Sequence, residues 1–75
     1  MAEIISDDAI ILQVKAYQTA DKYVLAYTRE HGKVRFIGYG ARYQKSVNGR
    51  LLQPFAKMHL ELQSGSRIDR LRSAE

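Results

Sequence analysis

From Ala9 to Tyr17 the chain reads AIILQVKAY, apolar at first and then alternating, with Ile10, Leu12, Val14 and Ala16 on one side and Gln13, Lys15 and Tyr17 on the other. Such alternation predicts a half-buried strand, because successive side chains of an extended backbone point to opposite faces. A polar break at Gln18 to Asp21 precedes KYVLAYT, Lys22 to Thr28, whose aromatic and β-branched residues suit a pleated surface. Arg29 to Gly32 predicts a tight turn, with the glycine supplying the positive φ of a hairpin loop, and KVRFIGY, Lys33 to Tyr39, predicts a third strand. The clearest alternation sets Ala56, Met58, Leu60 and Leu62 against Lys57, His59, Glu61 and Gln63, and predicts the fourth. After a turn at Ser64 to Ser66, Ile68 to Ala74 is expected as a fifth strand, although the three-residue spacing of Ile68 and Leu71 also suits a helical turn.

Gly40 to Gln53 has neither periodicity, which predicts a long loop with one helical turn near Arg50 to Gln53, stopped by Pro54. Gly38 and Gly40, flanking Tyr39, suit either a bend that helps a small barrel to close or plain loop. Five short strands with a long excursion between the third and fourth predict an all-β fold, a five-stranded Greek-key OB-fold barrel. An SH3-like barrel shares the size and strand count, but that connection sits where an OB-fold commonly places its helix. Residues 1–8, MAEIISDD, read as a flexible acidic leader, and residues 9–75 as the barrel. A single domain this short buries only about 60% of the surface of its unfolded chain, so the core is expected to be thin.

The chain has no cysteine and two isolated histidines, so neither a disulfide nor a metal site is expected, and no cofactor is implied. No apolar run approaches the roughly 18 residues of a membrane span, and the polar first residues do not read as a signal peptide. The expectation is a cytoplasmic protein without a membrane or small-molecule partner. The formal charge of +4 is unevenly arranged. Between Gly32 and Leu60 there is no acid, whereas Lys33, Arg35, Arg42, Lys45, Arg50 and Lys57 lie in that stretch, and a polyanion is the partner it suits.

Binding of single-stranded nucleic acid needs cations along the phosphates and aromatic faces for the bases. Tyr17, Tyr27, Tyr39 and Tyr43 are interleaved with Lys15, Lys33, Arg35, Arg42 and Lys45. Tyr23, Tyr27 and Phe36 are expected in the wall and core of the barrel. Tyr39 and Tyr43, beside Arg42 and Lys45, are the expected stacking residues. The expected DNA-binding set is therefore Lys33, Arg35, Arg42, Lys45, Arg50, Tyr39 and Tyr43. Catalysis needs a nucleophile beside a base, paired carboxylates or a metal cluster. Ser46, His31 and Asp21 are the types of a triad, but nothing in their spacing supports one. A non-enzymatic binding module is expected.

The run TREHGKVRFIGYGARYQKS, followed by LQPF, a strand and a closing LRSAE, resembles the N-terminal domain of the RecO family of DNA repair proteins across roughly residues 9 to 75. The resemblance rests on Thr28 through Gly32 with Val34 and Arg35, on Gly40, Ala41 and Arg42 with Ser46, on Leu52 to Phe55, and on Ser73 to Glu75, taken in order. It implies an OB-fold that binds single- and double-stranded DNA, anneals strands, associates with a RecR-like protein and acts in recombinational repair in bacteria, at the nucleoid. It also implies that Lys33, Arg35, Arg42 and Lys45 belong to the DNA-binding surface. Family members continue into a helical domain, in many cases with a zinc site, and this chain is expected to lack the functions that reside there. The competing expectation is a protein-docking barrel whose basic face meets an acidic partner.

Overall fold

A computed structural model of the protein describes residues 3–18, 20–40 and 51–75. Five strands, β1 (Ile4–Tyr17), β2 (Asp21–Thr28), β3 (Gly32–Gly38), β4 (Lys57–Gln63) and β5 (Asp69–Ala74), close into a barrel in the order β1-β2-β3-β5-β4. All neighbours are antiparallel except β3 and β5, which run parallel and are in register only at Phe36 with Asp69 and Ile37 with Arg70. This is the OB-fold expected from the alternating segments. Of the helical turn expected at Arg50 to Gln53, Leu51 is helical, Leu52 and Gln53 are not, and Arg50 lies outside the described residues.

The main correction concerns β1, which begins at Ile4 rather than Ala9. Ile4 to Ile10 pair with β4, and Ala9 to Tyr17 pair with β2, so residues 4–8 are barrel wall and not a leader. A second correction follows from a bulge at Leu12, where the register with β2 skips one residue. Before the bulge Ala9 and Ile11 face the core, and Ile10, expected inside, is 38% exposed. After it the parity is reversed and Val14 packs on the core. An extra residue in one strand of a pair does this, because side chains alternate strictly.

A second bulge explains the awkward spacing in β5. Leu62 pairs with Leu71 and Glu61 with Ser73, which leaves Arg72 as the extra residue and lets Leu71 and Ala74 both reach the core. Phe36 fills the centre, among Ile11, Val24, Leu52, Leu60 and Leu62, each fully buried. In β4 the alternation is the one expected, with Met58, Leu60 and Leu62 inside and Lys57 and His59 outside. At the β4–β5 turn Gly65 cannot be replaced without rearrangement, since a Cβ there would collide with the Ile68 carbonyl oxygen.

The β2–β3 hairpin is held by two buried polar groups. The Thr28 hydroxyl, 1% exposed, donates to the Gly32 carbonyl at 2.8 Å and accepts the His31 N–H at 2.9 Å. Asp7, 7% exposed, accepts the N–H of Glu30 at 2.8 Å, that of Asp8 at 2.8 Å, and the His31 Nδ1–H at 2.9 Å. Gly32 takes φ +68°, the left-handed conformation that suits glycine. A further bond from the Arg29 N–H to the Asp8 carbonyl, 2.9 Å, ties the hairpin to β1.

Thr28→Val keeps the shape and leaves two backbone groups without a partner, which is expected to cost about 1–3 kcal/mol. In a domain of this size that lowers Tm by at least roughly 4 °C, measurable by thermal unfolding followed by circular dichroism. The His31 and Glu30 hydrogen bonds hold the Asp7 carboxyl below its usual range. A depressed carboxylate contributes stability above the ordinary aspartate value, and that contribution is lost as pH falls through the depressed one. Asp7→Asn is therefore expected to be less stable than the parent at neutral pH, with the difference shrinking in strong acid. A difference that stays constant down to pH 2 contradicts this.

Candidate nucleic-acid interface

Because Val24, Ala26 and Thr28 face inward along β2, the alternate residues Tyr23, Leu25 and Tyr27 form its outer face. In register with them on β3 lie Ile37, Arg35 and Lys33. On the other side, past the bulge, Lys15 pairs with Tyr23 and Gln13 with Leu25. The outer face of β1, β2 and β3 therefore carries Lys15, Lys33 and Arg35 among Tyr17, Tyr23 and Tyr27, with Tyr17 and Tyr23 in ring contact at 6.4 Å. Asp21 stands at its margin, where its carboxylate accepts the Gly40 N–H at 2.8 Å.

Lys33 and Arg35 are both exposed on adjacent outward positions. Tyr39 follows β3 and is 62% exposed, as a stacking residue must be. Tyr43, Arg42, Lys45 and Arg50 lie outside the described residues. Phe36 is core, as expected, but Tyr27 is not: at 54% exposed it stands on the surface beside Lys33. Its parity could have revealed this, since Tyr27 alternates with Ala26 and Thr28, but the general tendency of aromatics to be buried argued the other way. Ile37 shares that outer parity yet is buried, so the basic face occupies the Gly32 half of β3.

Phe55, part of the LQPF run, is 81% exposed and adopts φ +67°, a left-handed conformation costly for a bulky residue. Its N–H donates to the Ile11 carbonyl at 2.6 Å, which fixes it beside the bulge of β1.

On the outer face of the β1–β4 pair, the Asp8 carboxylate lies 2.9 Å from His59 Nδ1 and the Ser6 hydroxyl 2.7 Å from His59 Nε2. The sequence reading missed this chain of groups, which joins residues more than fifty positions apart through the register of Asp8 with His59. It has the connectivity of a nucleophile, base and acid. The site is open to solvent, with His59 and Asp8 both exposed, and the hydrogen bond His59 makes to Asp8 raises the proton affinity of the ring. Of the triad types weighed from sequence, His31 is bonded to Asp7 and Asp21 to Gly40, and Ser46 is outside the described residues. Among the described residues no cluster of three metal-ligating side chains occurs, and no helix is long and apolar enough to cross a membrane.

An NMR pH titration of the ring protons checks the histidine assignment. His59 is expected to titrate above the ordinary histidine value of about 6.5, and Asp8→Asn to bring it back down. Its small contribution to stability is present below that ordinary value and fades as pH rises through the raised one.

Comparison with known families matches the whole chain, residues 1–75, to the N-terminal region of recombination protein O. A DNA repair protein RecO from Bifidobacterium animalis subsp. lactis is 39% identical over 69 residues, which are 92% of this chain and 29% of that protein. The RecO of Bifidobacterium longum subsp. infantis is 33% identical over 69 residues, with the same coverage. That of Symbiobacterium thermophilum is 37% identical over 68 residues, 91% of this chain and 27% of its own length. The chain thus spans less than a third of the length of these relatives.

Proposed function

The chain belongs to the recombination protein O family, matching its N-terminal part, and from that premise we propose that it is a non-enzymatic barrel that binds single-stranded DNA in recombinational repair. The observation that carries the reading is the outer face of β1, β2 and β3, where Lys15, Lys33 and Arg35 alternate with exposed or half-exposed tyrosines. Cations that track phosphates and rings that stack on bases are the two components of strand binding without sequence preference. Arg42, Lys45, Arg50 and Tyr43 are assigned to the same surface from charge and from their position in the chain after Tyr39. Strand annealing, contact with double-stranded DNA and association with a RecR-like protein belong to the same reading, through family membership alone.

Each phosphate contact on a single strand contributes about 0.7 to the slope of log affinity against log salt. Lys33→Ala with Arg35→Ala is therefore expected to weaken binding of a labelled oligonucleotide to all sequences alike and to flatten the slope by roughly 1.4. Arg67→Ala with Arg72→Ala removes the same formal charge from β5 and the turn before it, on the β4–β5 side where Arg72 lies 3.2 Å from Glu61, and is expected to leave both affinity and slope close to the parent. Equal losses in the two variants show that net charge alone matters. Full retention of DNA affinity by the first, with loss of binding to a RecR-like ring, favours the protein-docking alternative.

A further inference from the structure

Ala9 and Ile10 pair with β2 on one side and with β4 on the other, because the two pairings of β1 overlap there. Ala9 points inward and Ile10 outward. The outward row through Ile10 consequently crosses four strands without a break: Lys57 on β4 opposite Ile10 on β1, Ile10 opposite Tyr27 on β2, and Tyr27 opposite Lys33 on β3. With neighbouring strands about 4.8 Å apart, the row is roughly 14 Å long. It begins and ends on a cation. Around its Ile10 and Lys57 members opens a groove of about 570 Å³, with Tyr27 and Arg29 on one wall and Lys57 and His59 on the other.

Resting on the DNA-binding reading above, we propose that a single strand bound on the face of β2 and β3 continues across Tyr27 into this groove. There Tyr27 and Ile10 receive one base, and Arg29 and Lys57 hold the adjoining phosphates. The size of the groove lies within the range of sites that enclose small ligands. Its apolar exposure, Ile10 and Tyr27, suits one flat ring and is too little for the apolar stripe of a docked helix. Two acids also line it. Asp8 is bonded to His59, and Glu75 stands as a like charge that steers phosphates toward Arg29 and Lys57.

The experiment compares salt titrations of a fluorescent oligothymidine with the whole chain and three double variants, each first shown to keep the parent's melting temperature. Arg29→Gln with Lys57→Gln tests the groove, Lys33→Ala with Arg35→Ala the β3 face, and Arg67→Ala with Arg72→Ala the net charge. Loss of affinity by the first two, each with a slope flattened by roughly 1.4, and not by the third, is expected. Tyr27→Leu should weaken binding about tenfold while Tyr27→Phe, which keeps the ring, retains it. Loss confined to the β3 variant overturns the groove and leaves the DNA-binding reading standing. Loss confined to the groove variant overturns the continuous path. Equal behaviour of all three double variants overturns both the path and the reading on which it rests.

Discussion

A carboxylate removed from water is costly unless every lone pair that loses water finds a donor. In this barrel that condition falls on Asp7, and two of its donors, the Glu30 N–H and the His31 ring, come from the β2–β3 hairpin. The hairpin therefore cannot leave the first half of β1 without taking two of the hydrogen bonds that hold the Asp7 carboxylate. Thr28, one residue before the turn, is buried against the same hairpin and closes it from the inside. The hydrophobic core supplies most of the stabilisation, but it is non-directional, and the Asp7 bonds specify which turn meets which strand.

With β1 fixed at the hairpin, its course is decided. Its first half must serve β4 and its second half β2, and the Leu12 bulge turns the strand between the two. Such a bend keeps apolar residues inward on both halves while reversing their parity. Ala26 pairs with Ile11 next to the bend, and both, with Ala9 and Phe36, belong to the buried cluster. Large aromatics on β2 are then displaced to the outer surface, where Tyr23 and Tyr27 neighbour Lys15 and Lys33. The aromatic face follows from the inward parity of Val24, Ala26 and Thr28 on β2.

The legible parts of the sequence were those where period two runs uninterrupted. β4 and the limits of β2 and β3 could be read from alternation and turn residues, and strand count with spacing sufficed for the fold. β1 was misread because a bulge has no composition of its own: AIILQVKAY fits one frame without a bulge and another with it. β5 looked half helical for the same reason, its apolar spacing of three being two plus one extra residue at Arg72. Asp7 was placed in a flexible leader because two of its three donors, the Glu30 N–H and the His31 ring N–H, lie more than twenty residues away in the chain, where no local pattern announces them. Lys33 and Arg35 stand exposed where alternation put them, whereas Tyr27 was assigned by its chemistry when its parity was the better guide.

The position of Lys33 and Arg35 also has a reason within the fold. β3 meets β5 only at Phe36 and Ile37, so among the described residues its stretch from Gly32 to Arg35 has β2 as its strand partner and no strand pairing on the side toward β5. An exposed strand edge invites pairing with another chain, and charged side chains are a common means of preventing it. Two cations at this edge repel the equally basic edge of a second copy. On the proposed reading the same two charges would also attract a polyanion, whose phosphates would meet side chains already extended into water. Protection of the edge and the proposed attraction of a nucleic acid are therefore compatible demands on the same two positions.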